Sequence, residues 1–231
     1  MFIGGLEKTT LTDFPGKVAC IVFLVNCNFK CLYCYNKELT SYKLFKKSKR
    51  KLIPEEEFFA YLEKSKKMLD GAVITGGEPT CSPGIVDFVK KIKSLGFAVK
   101  FDSNGSNPEI LKQLIDEKLI DYIAMDIKAP MNKYKQISRL MVPKKNIRES
   151  LSLITSSSIP HEFRTTIYPK LTVDDFVAMA ELIPNEKWFL QQMEPKNAYE
   201  GKVKRMKTKR KKEIDEILSA LEGKVKVVFR S

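Results

Sequence analysis

Three cysteines that could act together lie in the segment CNFKCLYCYN of this 231-residue chain. Cys27, Cys31 and Cys34 follow the spacing C-x3-C-x2-C, and the chain has five cysteines in all. Thiolates are good nucleophiles and metal ligands, and short spacings of this kind are typical of metal sites. The segment therefore predicts a metal site or a catalytic group.

The number of thiols limits which kinds of metal site are possible. A structural zinc site normally has four Cys or His ligands, and the remaining candidates are Cys20, Cys81 and His161. Cys20 lies in the apolar run VACIVF and is expected in the core, Cys81 is expected to be a bystander, and His161 is distant in sequence. A four-iron cluster takes one thiolate per iron, so three cysteines would leave one iron open for another ligand. We favour the cluster; a zinc-binding module without turnover and a plain structural role are the alternatives.

Composition limits where such a site could operate. Apolar residues make up 43% of the chain, which suits one packed domain over residues 1–231. Nothing approaches the roughly 20 consecutive apolar residues that span a bilayer, and residues 1–15 lack the order of a secretory signal. We therefore predict a cytoplasmic protein without a membrane partner. Thiols stay reduced there, which favours a metal site over disulfides.

The charge of the chain is strongly positive. There are 41 Lys and Arg residues against 28 Asp and Glu, a net charge of +13. Basic runs occupy residues 46–51 (KKSKRK) and 202–212 (KVKRMKTKRKK). Such runs attract nucleic acids or acidic proteins. A solvated lysine-rich face is favoured over a nucleic-acid site, because no aromatic residue is interleaved for base stacking.

Strand-like and helix-like segments alternate along the chain. The strand candidates are residues 18–25, 71–75, 97–102, 122–127, 162–167, 188–192 and 225–229. Between them, apolar residues recur at helical spacing, and a last helix is expected over about 209–221, before Gly223. This alternation predicts an α/β fold with a parallel sheet, either doubly wound or curled into a barrel, with function at the carboxyl ends of the strands. The three cysteines directly follow the first predicted strand.

Two motifs in register resemble one enzyme superfamily. The cysteine motif has an aromatic residue, Tyr33, directly before its last cysteine, and GGEP follows the second predicted strand. Together they resemble the radical S-adenosylmethionine (SAM) superfamily. The resemblance implies a partial (β/α)6 TIM-like barrel and a [4Fe–4S] cluster ligated by the three cysteines. It also implies that the GGEP strip, together with Tyr33, contacts SAM.

The GGEP strip consists of Gly76, Gly77, Glu78 and Pro79. The glycines lack a Cβ, and we expect them to let the backbone approach a ligand closely. Glu78 offers an acceptor for an ammonium group. In the superfamily this strip holds the methionine amino group of SAM.

Three later strand ends extend the resemblance. FDSNGS assigns Asp102 to the amino group of SAM or to a monovalent cation, with Ser103 beside it. MDIKAP assigns Asp126 to the same polar site and Lys128 to the ribose or carboxylate. In FRTTIYP, the resemblance assigns Arg164 to the carboxylate side of SAM.

The lead-in GGLEKTTLTDFPGKVACIVFLVNCNFKCLYCYN is similar to one branch of the superfamily. It resembles the glycyl-radical-enzyme activating proteins, particularly those of anaerobic ribonucleotide reductase. The resemblance implies that a flavodoxin or ferredoxin reduces the cluster, that SAM is cleaved to a 5′-deoxyadenosyl radical, and that a glycine Cα of the partner loses hydrogen. The family's loop often has His where this chain has Tyr35. The alternative within the superfamily is an enzyme acting on a small molecule or an RNA base.

Overall fold

The strands form one mostly parallel sheet in a computed structural model that describes residues 1–139, 143–198 and 200–230. Eight strands are arranged in chain order, the first antiparallel to the second and all later neighbours parallel. The strands are β1 (Ile3–Thr10), β2 (Ala19–Leu24), β3 (Gly71–Gly76), β4 (Ala98–Ser103), β5 (Tyr122–Asp126), β6 (His161–Ile167), β7 (Lys187–Gln192) and β8 (Lys226–Arg230). The predicted α/β class is confirmed.

Helices follow most of the parallel strands and cover the outer face of the sheet. They are α1 (Tyr42–Lys47), α2 (Glu55–Lys64), α3 (Ile85–Ser94), α4 (Pro108–Asp116), α5 (Tyr134–Ser138), α6 (Lys144–Ser156), α7 (Val173–Ala180), α8 (Gly201–Lys204) and α9 (Lys211–Leu221). Apart from α1, whose Phe45 packs in a separate small cluster, their apolar faces join one large buried cluster with the strands. Phe58 of α2 and Phe88 of α3, for example, stack at 5.4 Å between ring centroids. Burial of this apolar area is the main force that holds the helices on the sheet.

All seven predicted strands are present, and the last helix ends before Gly223 as expected. Strand β1 was not predicted from the sequence. Its segment, IGGLEKTT, contains two glycines and three exposed residues, so neither an apolar run nor strict alternation marks it. It is held by antiparallel pairing with β2, a tertiary contact that propensity does not encode.

The sheet curls into a partial barrel rather than lying flat. Loops that follow distant strands meet at its carboxyl edge: the Tyr33 hydroxyl, after β2, donates to the Lys128 carbonyl, after β5, at 3.5 Å. The Glu194 amide, after β7, donates to the Tyr35 hydroxyl at 2.5 Å. In the described residues β8 pairs with β7 and not with β1, so the barrel stays open.

Apolar residues close the interior of the barrel at the amino ends of the strands. Phe14, in the turn between β1 and β2, packs there with Ala19, Ile21, Val73 and Tyr122. The rings of Phe14 and Tyr122 are 6.2 Å apart. These side chains fill the bottom of the barrel with apolar groups. None of the helices in the described ranges is long and apolar enough to cross a bilayer.

Candidate active site

Every residue that the sequence predicted for the site lines one cavity at the carboxyl ends of the strands. The cavity brings together the cysteine loop, the GGEP strip, and the ends of β4, β5 and β6. Residues that were not predicted also line it: Phe29, Tyr35, Asn36, Thr40, Thr75, Asn104 and Thr166. Proximity is therefore established, while the contact of each residue with a cofactor stays a prediction.

Backbone hydrogen bonds hold the cysteine loop in place. The amide of Cys27 donates to the Thr40 carbonyl at 3.1 Å, and the amide of Cys34 donates to the Cys31 carbonyl at 3.1 Å. The Lys30 amide is bonded to the carbonyl at the end of α5 at 2.9 Å. These bonds hold the three thiols on one wall of the cavity before any cofactor is bound, which reduces the entropy cost of ligation.

Burial and charge act in opposite directions on the thiols. Burial raises the pKa of Cys27 and Cys34, and it raises that of Cys31 to about 11. The Lys128 ammonium lowers the pKa of all three, and the Phe29 amide donates to the Cys27 sulfur at 3.3 Å. The Lys128 charge and the Phe29 hydrogen bond each favour the thiolate, which is the form that ligates metal.

The set of thiols fits a [4Fe–4S] cluster. Three thiols face one cavity, as a cluster that takes one thiolate per iron and leaves one iron for another ligand would require. In the described parts of the chain, no three His, Cys, Asp or Glu residues are close enough to hold a metal ion together. A cluster spreads its ligands over several irons, so its thiols need not converge on one point.

The remaining thiols and the histidine lie elsewhere. Cys20 is fully buried on β2, which confirms the expected core position, and burial raises its pKa to about 12. Cys81 ends the short 3-10 helix Pro79–Cys81, and its sulfur lies 3.7 Å from the side-chain amide nitrogen of Asn107. His161 begins β6, at the end opposite the cavity, and bonds Glu186 at 3.0 Å.

The glycines of the GGEP strip are also required for packing within the protein. A Cβ on Gly77 would lie against the Asn26 carbonyl, closer than atoms can approach, and 2.8 Å from the Leu39 carbonyl oxygen. A Cβ on Gly76, which has φ of +124°, would strike the backbone of Leu24. The missing Cβ atoms thus let β3 pack against the chain that leads into Cys27, and the expected close approach of this backbone to a ligand stays a prediction.

Glu78 accepts hydrogen bonds from other groups of the protein in this structure. Its side chain is buried, and Oε1 accepts from the Thr80 hydroxyl at 2.6 Å and from the Ser103 hydroxyl at 2.9 Å. Its Oε2 accepts from the Asn104 amide at 2.6 Å. Burial raises the Glu78 pKa, while these hydrogen bonds act in the opposite direction. Glu78 thus ties the end of β3 to the end of β4, and its predicted bond to an ammonium group would be additional.

Asp102 is paired with cations of the protein itself. Lys100 Nζ lies 2.9 Å from Asp102 Oδ1, and Arg164 Nη1 lies 3.0 Å from Oδ2. Burial raises the Asp102 pKa, but the two cations outweigh it and keep the pKa below its usual value. Because both oxygens are engaged, a SAM amino group or a monovalent cation would have to compete with these partners.

Asp126 extends the ion pairs of Asp102, because it also binds Arg164. Its Oδ1 accepts from Arg164 Nε at 2.8 Å and its Oδ2 from Lys128 Nζ at 2.8 Å. Burial raises the Asp126 pKa, but Arg164 and Lys128 outweigh it and keep the pKa well below its usual value. The Arg164 guanidinium thus bridges the two carboxylates, which fixes its plane beside the cavity.

Lys100, which does not line the cavity itself, is a buried charged partner of the site that sequence reasoning missed. It is 2% exposed and shares a strand face with Asp102, two residues later on β4. One signal in the sequence could have revealed it. Lysine is rarely buried, yet this one lies inside the apolar segment AVKFD, two residues before a predicted site aspartate and so on the same face of the strand.

Comparison with known proteins agrees with this geometry. The Radical SAM superfamily pattern matches residues 21–183. A protein of Methanocaldococcus jannaschii named "Putative glycyl-radical enzyme activating enzyme" is 32% identical over 224 residues, which cover 93% of this chain and 89% of that protein. A second protein of that organism, with the same kind of name, is 29% identical over 188 residues, covering 79% of this chain and 68% of its own length.

Solved structures show the same fold at low identity. QueE from Escherichia coli superposes with a TM-score of 0.55 at 15% identity, covering 99% of this chain and 93% of QueE. A domain of pyruvate-formate lyase-activating enzyme from Bacteroides vulgatus gives 0.53 at 19% identity, covering 70% of this chain and 99% of that domain. Both the sequence pattern and the curved parallel sheet with its cysteine loop thus lead to the same assignment. The chain belongs to the radical SAM superfamily.

Proposed function

We propose that this protein is an activase that abstracts hydrogen from a glycine Cα of a glycyl-radical enzyme, with an anaerobic ribonucleotide reductase as its first candidate partner. The observation that carries the proposal is the 32% identity, over nearly the full length, to a protein named for such activation. The lead-in from β1 through the cysteine loop, similar to reductase activating proteins, supports the choice of partner.

The roles that we assign to the residues come from the superfamily resemblance, and their shared cavity supports them. Cys27, Cys31 and Cys34 would ligate the [4Fe–4S] cluster. When bound and reduced, the cluster supplies the electron that splits the sulfonium carbon–sulfur bond of SAM. The protein positions the reacting groups and excludes water and oxygen.

Charged residues would hold the methionine end of SAM. Arg164 and Lys128 are the cations that line the cavity, and we assign Arg164 to the carboxylate and Lys128 to the carboxylate or ribose. Asp102 and Asp126 keep these two cations oriented in the absence of ligand. Such preorganisation lowers the cost of ordering side chains on binding.

The open barrel suits a macromolecular substrate. In the described residues β1 and β8 are not paired, so the sheet is not closed around the cavity at the strand ends, and we infer that a loop of another protein supplies the reacting glycine there. A net charge of +13 favours encounter with an acidic partner surface.

The test is spectroscopic. Anaerobically reconstituted protein, reductant and SAM are incubated with each glycyl-radical enzyme of the host, and electron paramagnetic resonance is recorded. We expect a carbon-centred doublet that collapses when the partner's glycine carries deuterium at Cα. Absence of the signal with every such enzyme, together with turnover of a small molecule or RNA, would replace the activase with the alternative radical enzyme. Stoichiometric zinc without iron uptake would instead support a zinc module.

A further inference from the structure

A second groove lies on the outer side of the cysteine loop. It is lined by residues that follow Cys34, by residues after β7, and by α8. Tyr35 and Asn36 line both this groove and the cavity. Since Tyr35 directly follows Cys34 in the chain, the groove comes within one residue of a predicted cluster ligand.

Three lysines line this groove, and we call it the lysine groove after them: Lys37, Lys196 and Lys204. All three are exposed. In the parts of the chain that the structure describes, none of them forms a salt bridge with a carboxylate. Their charge is thus available to a partner. Lys204 belongs to the basic run 202–212, for which the proposed chemistry gives no role.

The acidic groups around the groove have partners of their own. Glu38, which also lines it, lies 3.4 Å from Arg50. Glu200 lies 2.6 Å from Arg139. The Glu194 carboxylate accepts from the Asn197 side chain, which is uncharged, at 2.7 Å. The potential in the groove is therefore positive, and a negative surface is complementary to it.

The wall of the groove is tied to the cysteine loop. The Glu194 amide donates to the Tyr35 hydroxyl at 2.5 Å, and the Glu200 amide donates to the Leu32 carbonyl at 3.3 Å. The segments that carry Lys196 and Lys204 are therefore held against the loop. A partner bound there would meet a preformed surface next to the cluster ligands.

We propose that the lysine groove docks an acidic one-electron donor protein. The inference rests on the proposed function, because radical chemistry in the cavity requires that one electron reach the cluster. The cavity mouth has to accept SAM and the substrate, so the donor needs a separate approach, and the groove provides one across Tyr35 and Asn36. One electron leaves the donor, which is oxidised, and the cluster is reduced by that electron, with no bond formed or broken.

Charge reversal tests the docking site. The variant K37E/K196E/K204E is compared with K64E/K66E/K67E, which has the same change in net charge at exposed lysines that precede β3, at the edge of the sheet opposite the cavity. Each reconstituted protein is mixed anaerobically with the host's reduced flavodoxin or reduced ferredoxin, and loss of the cluster's visible absorbance is followed by stopped flow. Affinity for the oxidised donor is measured by calorimetry.

We expect the groove variant to be reduced at least tenfold more slowly at low salt and to bind the donor at least tenfold more weakly. The control variant should change less than twofold. The difference should vanish near 1 M salt, where the Debye length is about 3 Å. Dithionite, a small reductant, should reduce all proteins at the same rate.

Three results would overturn the proposal. The groove variant could accept electrons from both donors at the normal rate, or both variants could slow equally, which would indicate an effect of net charge alone. The groove variant could also be reduced normally but form no glycyl radical with dithionite, which would assign the groove to the glycyl-radical enzyme. Because reduction is measured without any substrate, failure of the activase assignment would be recognised separately.

Discussion

Lys100 and Asp102, two residues apart on β4, form a buried ion pair with 2.9 Å between Nζ and Oδ1. Lys100 is also 3.9 Å from Glu162, while Asp102 also pairs with Arg164. The pair therefore links the middle of the barrel to the cavity at its carboxyl end. Removing Lys100 would leave the buried Glu162 without a cationic partner among the described residues and Asp102 with Arg164 alone.

Lys100→Met should be strongly destabilising. Breaking a buried pair by removing one partner typically costs about 3–5 kcal/mol, because the other charge stays desolvated. We expect a loss of this size in the free energy of unfolding, measured by urea denaturation. The matched control is Lys112→Met, which removes an exposed i,i+4 pair with Asp116 and should cost about 0.3–0.5 kcal/mol. Similar small losses in both variants would show that Lys100 contributes no more than a surface lysine.

The same variant should also unfold at a higher pH in acid. The lowered pKa of Asp102 stabilises the fold above the unfolded-state value of about 3.9, and this stability is lost as the pH falls through the folded-state pKa. Lys100→Met removes one of the two cations that lower this pKa, so Asp102 contributes less stability above about pH 3.9 and a milder acid should unfold the variant. Circular dichroism during acid titration measures the midpoint. A midpoint unchanged from the natural protein would mean that Lys100 contributes neither to stability nor to the Asp102 pKa.

Which residues share the site could be predicted from the sequence, because each one ends a strand or directly follows one. Parallel strands bring such positions to one edge of the sheet. The partner of each carboxylate could not be predicted in the same way. Whether Asp102 faces Lys100, Arg164 or a ligand depends on side-chain packing across three strands, which no local pattern records.

The cysteine assignment gives a direct test of cluster ligation. Cys27→Ala, Cys31→Ala and Cys34→Ala should each abolish reductive cleavage of SAM, because each removes the ligand of one iron. Cys81→Ala is the control, since Cys81 does not line the cavity in the described structure. It should retain about four irons after anaerobic reconstitution. If loss of Cys81 empties the site, the cluster has a fourth protein ligand and no open iron.

The GGEP strip shows that a motif can be found from the sequence while one of its structural reasons stays hidden. The two glycines are identifiable from the sequence, and the approach of a ligand is the reason that the sequence predicts for their missing side chains. The structure adds a second reason, because the backbone of Leu24 and Asn26 lies at the positions that Cβ atoms would take. That contact joins β2 and β3, whose residues are far apart in sequence, so only the folded chain could show it.

Gly77→Ala should therefore damage the cluster site and not just SAM binding. The added methyl group would press on the Asn26 carbonyl and displace the loop that begins at Cys27. We expect a lower iron content after reconstitution, measured by iron analysis and visible absorbance. Gly201→Ala is the control, because within the described ranges no atom outside its chain neighbours and its own helix backbone lies within 4 Å of the position its Cβ would take. A Gly77→Ala protein with full iron content but weakened SAM binding would show that the ligand, and not the cysteine loop, requires glycine at this position.

Arg164→Lys should weaken SAM binding while leaving the cluster in place. The guanidinium bonds Asp102 through Nη1 and Asp126 through Nε, a planar bridge that a lysine ammonium cannot reproduce with the same geometry. The cavity would lose the oriented cation that we assign to the SAM carboxylate, so we expect the dissociation constant to rise about tenfold, equivalent to about 1.4 kcal/mol. Equilibrium dialysis with labelled SAM measures this constant, and iron analysis checks the cluster. Arg148→Lys, an exposed substitution on α6, should change neither quantity. An unchanged dissociation constant in Arg164→Lys would confine Arg164 to holding the two carboxylates, and the SAM carboxylate would then be assigned to Lys128.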